Sequence, residues 1–289
     1  MGLLSNKICR DDLKPGDHIY SWRSYIYSHH GIYIGDGKVI HFTRGDGLEI
    51  GTGTFLDKII VSSVPNHGGD SNNPCLKCGD QSNLDGVICS CLDCFLSGGN
   101  LYLFQYNVSK AIFVAKQRGG TCTIATSDPS DEVVSRAKFL LTSNGFGVYN
   151  LLDNNCEDFA IYCKTGLMVL SVTKLGCSGQ ASLLAAAGGV VSTTLNAFGV
   201  RNSGQAASMA SPALVFSAAS NALTTTLGLV VTGVGCMALA GYGNYCIGRL
   251  VYDVGVRRDV RKVPVEDLVV LIAAMKGQLD NNDNKCKIC

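Results

Sequence analysis

Residues 28–42 read "SHHGIYIGDGKVIHF". Two apolar runs, "GIYIG" and "KVIHF", flank Gly35-Asp36-Gly37, and short β-favouring runs joined by glycine and aspartate read as a β-hairpin. The outer ends of such a hairpin lie side by side. His29 and His41, twelve residues apart, are thereby placed where two imidazoles on neighbouring strands can touch. The chain has only five histidines and three fall in this stretch.

Further strands are expected at "KIIVSSV" (58–64) and "NLYLFQYNV" (100–108). "SDPSDEVVSRAKFLLTSNGFG" (127–147) predicts a helix. Ser127, Asp128 or Ser130 is its expected cap, Val133, Ala137, Phe139, Leu140 and Leu141 its apolar side, and "NGFG" its stop. "NNCEDFAIYCKTG" (154–166) predicts a second helix, begun near Asn155 or Cys156 and ended at Gly166. The fold class is therefore α+β, an antiparallel sheet with helices.

The expected organisation has five parts. Residues 1–12 form an N-terminal segment and 13–165 a globular domain with a cysteine-rich insertion at 66–95. Residues 166–276 form an apolar, Gly/Ala-rich, mainly helical C-terminal region, and 277–289 a disordered tail. Between Leu175 and Gly248 the only charged residue is Arg201. The run 222–243 is long enough to cross a hydrocarbon core of about 30 Å as a helix, and 181–200 is a weaker version of it. A membrane hairpin and a buried bundle compete for this region. The basic cluster Arg257, Arg258, Arg261 and Lys262 suits an anionic membrane leaflet or a solvated face. "MGLLSN" presents Gly2 for myristoylation with Asn6 where Ser or Thr is wanted, and Cys9 is available for a second acyl group. "KCKIC" is a poor prenylation box, because Lys287 stands where an aliphatic residue belongs.

A net charge of +1 argues against a nucleic-acid partner. Fourteen cysteines without a secretory leader suggest a reducing, cytoplasmic setting. There cysteines serve as ligands, fillers or a nucleophile, and the "NVS" sequon at Asn107 is idle. Cys75-x2-Cys78, twelve residues, then Cys91-x2-Cys94 is the spacing of a four-cysteine structural zinc site; Cys89 is surplus. Reduced thiols in a loop, or one disulfide, are the alternatives. Cys122, Cys163, Cys177, Cys236 and Cys246 read as small apolar fillers.

A catalytic thiol needs a base, a group that orients the base, and gains from a helix N-terminus. Among the cysteines Cys156 has that placement, and His29 and His41 offer the base and its orienting partner. Strand histidines are also commonly structural. His30 reads as a bystander, and His18 as structural or close to substrate.

"LKPGDHIY", "HHGIYIGDGKVIHF" and "NNCEDFAIYC" together resemble the lecithin:retinol acyltransferase (LRAT) domain family over about residues 13–165. Within it they resemble the plant NC-domain-containing members. The resemblance implies a permuted papain-like or NlpC-type fold, with Cys156 as nucleophile, His29 as general base and His41 as the orienting third member. It implies thiol-dependent acyl transfer or phospholipase-like hydrolysis through a Cys thioester, with no catalytic cofactor, on a phospholipid or other lipid acyl ester at a membrane surface. Asp158 departs from the histidine usual there in animal members, which bears on the neighbouring surface and substrate choice. A catalytically silent scaffold or lipid-binding protein, and a cysteine peptidase or amidase, are the other functions compatible with these residues.

Overall fold

The computed structural model describes residues 5–23, 27–44, 75–79, 81, 84–116, 118–150, 154–169, 242–243 and 245–274. The strand expected at 58–64, both apolar runs apart from 242–243, Gly2 and the tail from 277 lie outside them. The chain divides into two compact units, residues 1–183 with 249–289, and 184–248.

The first unit is built on a five-stranded sheet in the order β4-β3-β2-β1-β5. Its strands are β1 (His18–Arg23), β2 (Tyr27–Gly35), β3 (Lys38–Thr43), β4 (Gly86–Cys91) and β5 (Tyr102–Leu103), all antiparallel to their neighbours. The hairpin read from residues 28–42 is β2-β3. Its turn needs left-handed backbone at three successive residues, Gly35, Asp36 and Gly37, with φ of 98°, 51° and 65°. Glycine and aspartate tolerate that region at least cost.

The helices of this unit include α1 (Leu92–Leu96), α2 (Lys110–Ala115), α3 (Ser130–Ser143) and α4 (Cys156–Thr165), and residues 265–274 are helical as well. α4 begins and ends as its sequence directs. Asn155 accepts from the Glu157 and Asp158 amides, Asp158 returns a bond to the Asn155 amide, and Gly166 closes the helix at φ 68°. α3 differs at its start. Its cap position is Pro129 and no side chain caps it; Asp128 instead pairs with Arg136 and Lys262. Asn144, in the left-handed region, ends it. Val133, Ala137 and Leu140 are its buried side, whereas Phe139 is exposed, because only one stripe of a 3.6-residue helix faces the sheet.

Strand alternation sorts the side chains onto two faces. Ile32, Ile40 and Phe42 join Phe159, Ala160 and Cys163 of α4 in the larger core. Ile19 and Val39 point the other way, against Leu92, Phe95 and Leu96 of α1.

Two features depart from the sequence-based organisation. The supposedly irregular insertion ends in β4 and α1, which complete the main sheet and its second face. The end of the chain also belongs to the first unit. β6 (Leu167–Val169) pairs with β7 (Val260–Lys262). Asp253 accepts bonds from the Thr123 hydroxyl and the Ile124 and Gly255 amides. Burying charge unpaired is costly, so these donors fix 253–255 to the loop at 123–125. Arg257 pairs with Asp259, so that part of the basic cluster is already neutralised within the chain. Among the described residues no helix is long and apolar enough to cross a membrane.

Candidate active site

The register of β2 and β3 aligns Gly31 with His41, so His29 and His41 are diagonal neighbours. Their ring nitrogens meet, His29 Nε2 to His41 Nδ1, at 2.8 Å. His41 Nε2 lies 2.7 Å from Ser90 Oγ, one further diagonal step onto β4. Ser90 Oγ donates to Gln81 Oε1, and Gln81 Nε2 donates to the Cys89 carbonyl at 2.7 Å. The other end of this chain is open: His29 Nδ1 is buried and has no hydrogen-bond partner.

Phe95 seals the pair, with ring centroids 5.3 Å from His29 and 5.4 Å from His41. Gly31 admits that ring. A Cβ there would sit 2.7 Å from Val39 Cγ1 and 2.9 Å from Phe95 Cε2. Burial drives both imidazoles toward the neutral form, aided by mutual repulsion at His29 and by Arg23; His41 falls to about 3.

Cys156 is fully buried at the first position of α4. Its sulfur lies beside β2 where pairing with β3 has ended, 3.7 Å from the Ser28 carbonyl. It hydrogen-bonds the Tyr27 hydroxyl at 2.8 Å, and Tyr27 meets the Tyr149 hydroxyl at 2.6 Å. Tyr27 and His29 alternate onto the same side of β2, so the thiol's Tyr27 partner stands two residues from His29 along that strand. The thiol's described hydrogen bonds go to the Tyr27 and Tyr149 hydroxyls, the Ser28 carbonyl and the His30 amide, and to neither imidazole. Burial pushes the thiol up to about 12, against the opposing effect of the Tyr27 hydroxyl and the His30 amide. The resting site therefore holds a neutral thiol and neutral imidazoles. The capping box engages the amides of Asn155, Glu157 and Asp158, and no described hydrogen bond engages that of Cys156. An uncommitted amide at a helix N-terminus suits an oxyanion.

A second histidine pair lies on the opposite face. His18 Nε2 meets His30 Nδ1 at 2.8 Å, His18 Nδ1 meets the Tyr106 hydroxyl at 2.7 Å, and His30 Nε2 meets Ser28 Oγ at 2.8 Å. These two are also twelve apart and diagonal across β1 and β2. Every ring nitrogen in this pair is partnered.

The four cysteines of the insertion do converge. Cys75, Cys78, Cys91 and Cys94 place their sulfurs within 4.8 Å of one another. Sulfur separations include 3.8 Å for Cys75–Cys91, 3.8 Å for Cys78–Cys91 and 3.4 Å for Cys78–Cys94. A tetrahedron with metal–sulfur bonds of about 2.3 Å has edges of about 3.8 Å, so the donor set fits zinc. The Lys77 and Cys94 amides point at Cys75 and Cys91 sulfurs, as thiolates require. Cys89 is not in the cluster and packs against the main core. Cys122, Cys163 and Cys246 are buried.

The chain matches the family model for lecithin retinol acyltransferase over residues 11–169. It belongs to that family. It is also 49% identical to "Protein LEAD-SENSITIVE 1" of Arabidopsis thaliana over 269 residues, covering 93% of this chain and 90% of the relative. Membership places the chain in a family of thiol acyltransferases and phospholipase-like proteins.

Sequence reasoning missed Tyr27, Tyr149, Ser90 and Gln81, and overlooked the His18–His30 pair. Tyr27 had a signal, two positions before His29 on one side of a strand. Ser90 and Gln81 had none, because only β4 pairing brings them to His41.

Proposed function

We propose that the protein is a thiol-dependent acyltransferase or lipid hydrolase acting on a phospholipid or related acyl ester. One observation carries the reading: a buried imidazole nitrogen without a partner, His29 Nδ1, lies at the end of an oriented histidine pair, on the strand whose Tyr27 hydroxyl bonds the Cys156 thiol. Orphaned buried polar atoms are rare in structural pairs, and a base awaiting a proton accounts for this one.

In this mechanism Cys156 attacks the ester carbonyl as its S–H proton passes to His29 Nδ1. The Cys156 amide receives the oxyanion. His41 accepts from His29 Nε2 and stabilises the imidazolium. Collapse expels the alcohol, which takes the proton from His29, and leaves a thioester on Cys156. Water or an acceptor alcohol or amine then attacks, giving its proton to His29, which passes it to the departing Cys156 sulfur and restores the neutral thiol. Because thiol and base are both neutral at rest, proton transfer accompanies attack; no thiolate waits in advance.

The reading extends to three further properties: a structural zinc on Cys75, Cys78, Cys91 and Cys94, a cytoplasmic setting, and attachment to a membrane surface. The sulfur separations and the directed amides support the metal. Incubation with mixed phospholipids followed by mass spectrometry of the Cys156 peptide tests the function. A thioester is expected, absent in Cys156→Ser; no adduct from any donor would reduce the protein to a binding module. Metal analysis should find one zinc per chain, lost in Cys75→Ser/Cys78→Ser. Carbonate extraction of the full chain tests membrane attachment.

A further inference from the structure

The cysteine cluster and the histidine pair are joined by covalent and hydrogen-bonded links. Residues 79–90 run between the two Cys-x2-Cys halves, and this segment supplies Gln81 and, from β4, Ser90. We infer that a metal held by the four cysteines sets which nitrogen of His29 is free, by fixing Gln81 as the terminal acceptor of the chain Gln81–Ser90–His41–His29. The inference rests on the acyl-transfer reading only for its catalytic consequence.

The direction follows from elementary donor and acceptor counts. The Cys89 carbonyl can only accept, so the Gln81 NH₂ group faces it and Oε1 faces Ser90. Two oxygens in hydrogen-bond contact need a proton between them, and Oε1 has none, so Ser90 donates to Gln81. The single Ser90 hydrogen is then spent, and its oxygen accepts from His41 Nε2–H. His41 is neutral, so its Nδ1 is a lone pair and accepts from His29 Nε2–H. His29 is neutral too, which leaves Nδ1 bare. Hydrogen positions are thus assigned by the network, each forced by the link before it. Nothing inside the histidine pair fixes this polarity. With the Gln81 acceptor removed, the Ser90 hydroxyl is released to donate to His41 Nε2. His41 then carries its proton on Nδ1 and donates to His29 Nε2, and His29 is protonated on Nδ1, where it cannot act as base.

The metal matters because little else anchors Gln81. Cys78 precedes it by three residues, and Cys91 directly follows Ser90. Gln81 is only partly buried and both of its described side-chain bonds run to β4. A metal that closes a chain segment orders the residues next to its ligands. Gln81 and Ser90 are therefore positioning residues, acting through His41.

The test is the imidazole ¹⁵N spectrum of the full chain, with His29 and His41 assigned by His29→Gln and His41→Gln variants. Zinc-loaded protein should show both rings as the Nε2–H tautomer. Gln81→Leu should keep one zinc per chain yet move His29 toward the Nδ1–H tautomer. Chelation of the metal should do the same in the wild type. Ser90→Ala should lose the single tautomer and Ser90→Thr, which keeps the hydroxyl, should restore it. Alkylation of Cys156 by iodoacetamide should slow about 10- to 100-fold in Gln81→Leu, the range typical of residues that orient a ligand or base. A His29 ring that stays Nε2–H in Gln81→Leu, or after metal removal from the folded chain, overturns the inference. If chelation unfolds the chain, Cys75→Ser supplies the metal-depleted comparison. Tautomers that respond as expected in a protein forming no thioester would leave this wiring standing and defeat the acyl-transfer reading.

Discussion

Two histidine pairs sit back to back in one sheet, built alike and ending differently. His29–His41 and His18–His30 share a twelve-residue spacing, a diagonal cross-strand placement, full burial and a 2.8 Å link. In the second pair, Tyr106 and Ser28 close both ends. In the first, Ser90 closes one end and His29 Nδ1 stays open. Spacing and burial make a buried imidazole pair; a nitrogen left without a partner, on the strand whose Tyr27 bonds the thiol, is what sets one apart for chemistry.

The largest test of that contrast replaces one histidine from each pair. His29→Gln should lower acyl turnover by about 10³-fold or more while the fold persists, since it removes a base and keeps a polar side chain. His30→Gln should cost about 1–3 kcal/mol of stability through its unpaired partners and leave kcat within a few-fold. Equal kinetic losses at equal stability would erase the distinction.

Acid should then expose what the pairs share. Burial holds His18, His29, His30 and His41 below the ordinary imidazole range, His30 and His41 at about 3. Unfolded histidines titrate near 6.5, so below that pH the unfolded chain binds more protons. Stability is full above about 6.5 and is lost as pH falls toward 3, by up to about 1.4 kcal/mol per pH unit for each histidine. Asp17 and Asp253, raised by burial, oppose this in part. Urea midpoints at pH 7 and pH 5 should show the loss, and His30→Gln should flatten the slope. A pH-independent midpoint would mean that the rings are not held neutral.

Gly31→Ala acts on the open pair alone. The added methyl meets Val39 and Phe95 at under 3 Å, which should cost about 1–3 kcal/mol and loosen the seal over His29 and His41. Thermal unfolding measures the first effect. Loss of the single His29 tautomer reports the second.

Tyr27→Phe is the smallest change. It removes the hydroxyl that favours the Cys156 thiolate, so the thiol should titrate higher and iodoacetamide labelling at pH 8 should slow, by about tenfold or less. Unchanged labelling would show that Tyr27 packs against the sulfur without tuning it.

Much of this was legible before folding. The glycine-flanked turn and flanking apolar runs specify β2-β3, and with it the His29–His41 contact, because a hairpin's register follows from its own turn. Asn155 and Gly166 specify α4 and put Cys156 at its first turn. The two Cys-x2-Cys halves specify their own convergence. These are local patterns, in which each residue acts on neighbours a few positions away or across one short turn.

What remained hidden depends on pairings that no local pattern encodes. β4 emerged from a stretch that reads as polar loop, since its six residues gain a strand's stability only beside β3. That pairing delivers Ser90 to His41. The return of residues 249–274 to the first unit likewise rests on long-range bonds to Asp253 and on β7 meeting β6. The hairpin, the helix with its thiol and the four converging cysteines follow from local residue patterns. Which of two similar histidine pairs keeps a free nitrogen follows from the packed fold, because whether a buried lone pair is satisfied depends on groups brought from distant parts of the chain.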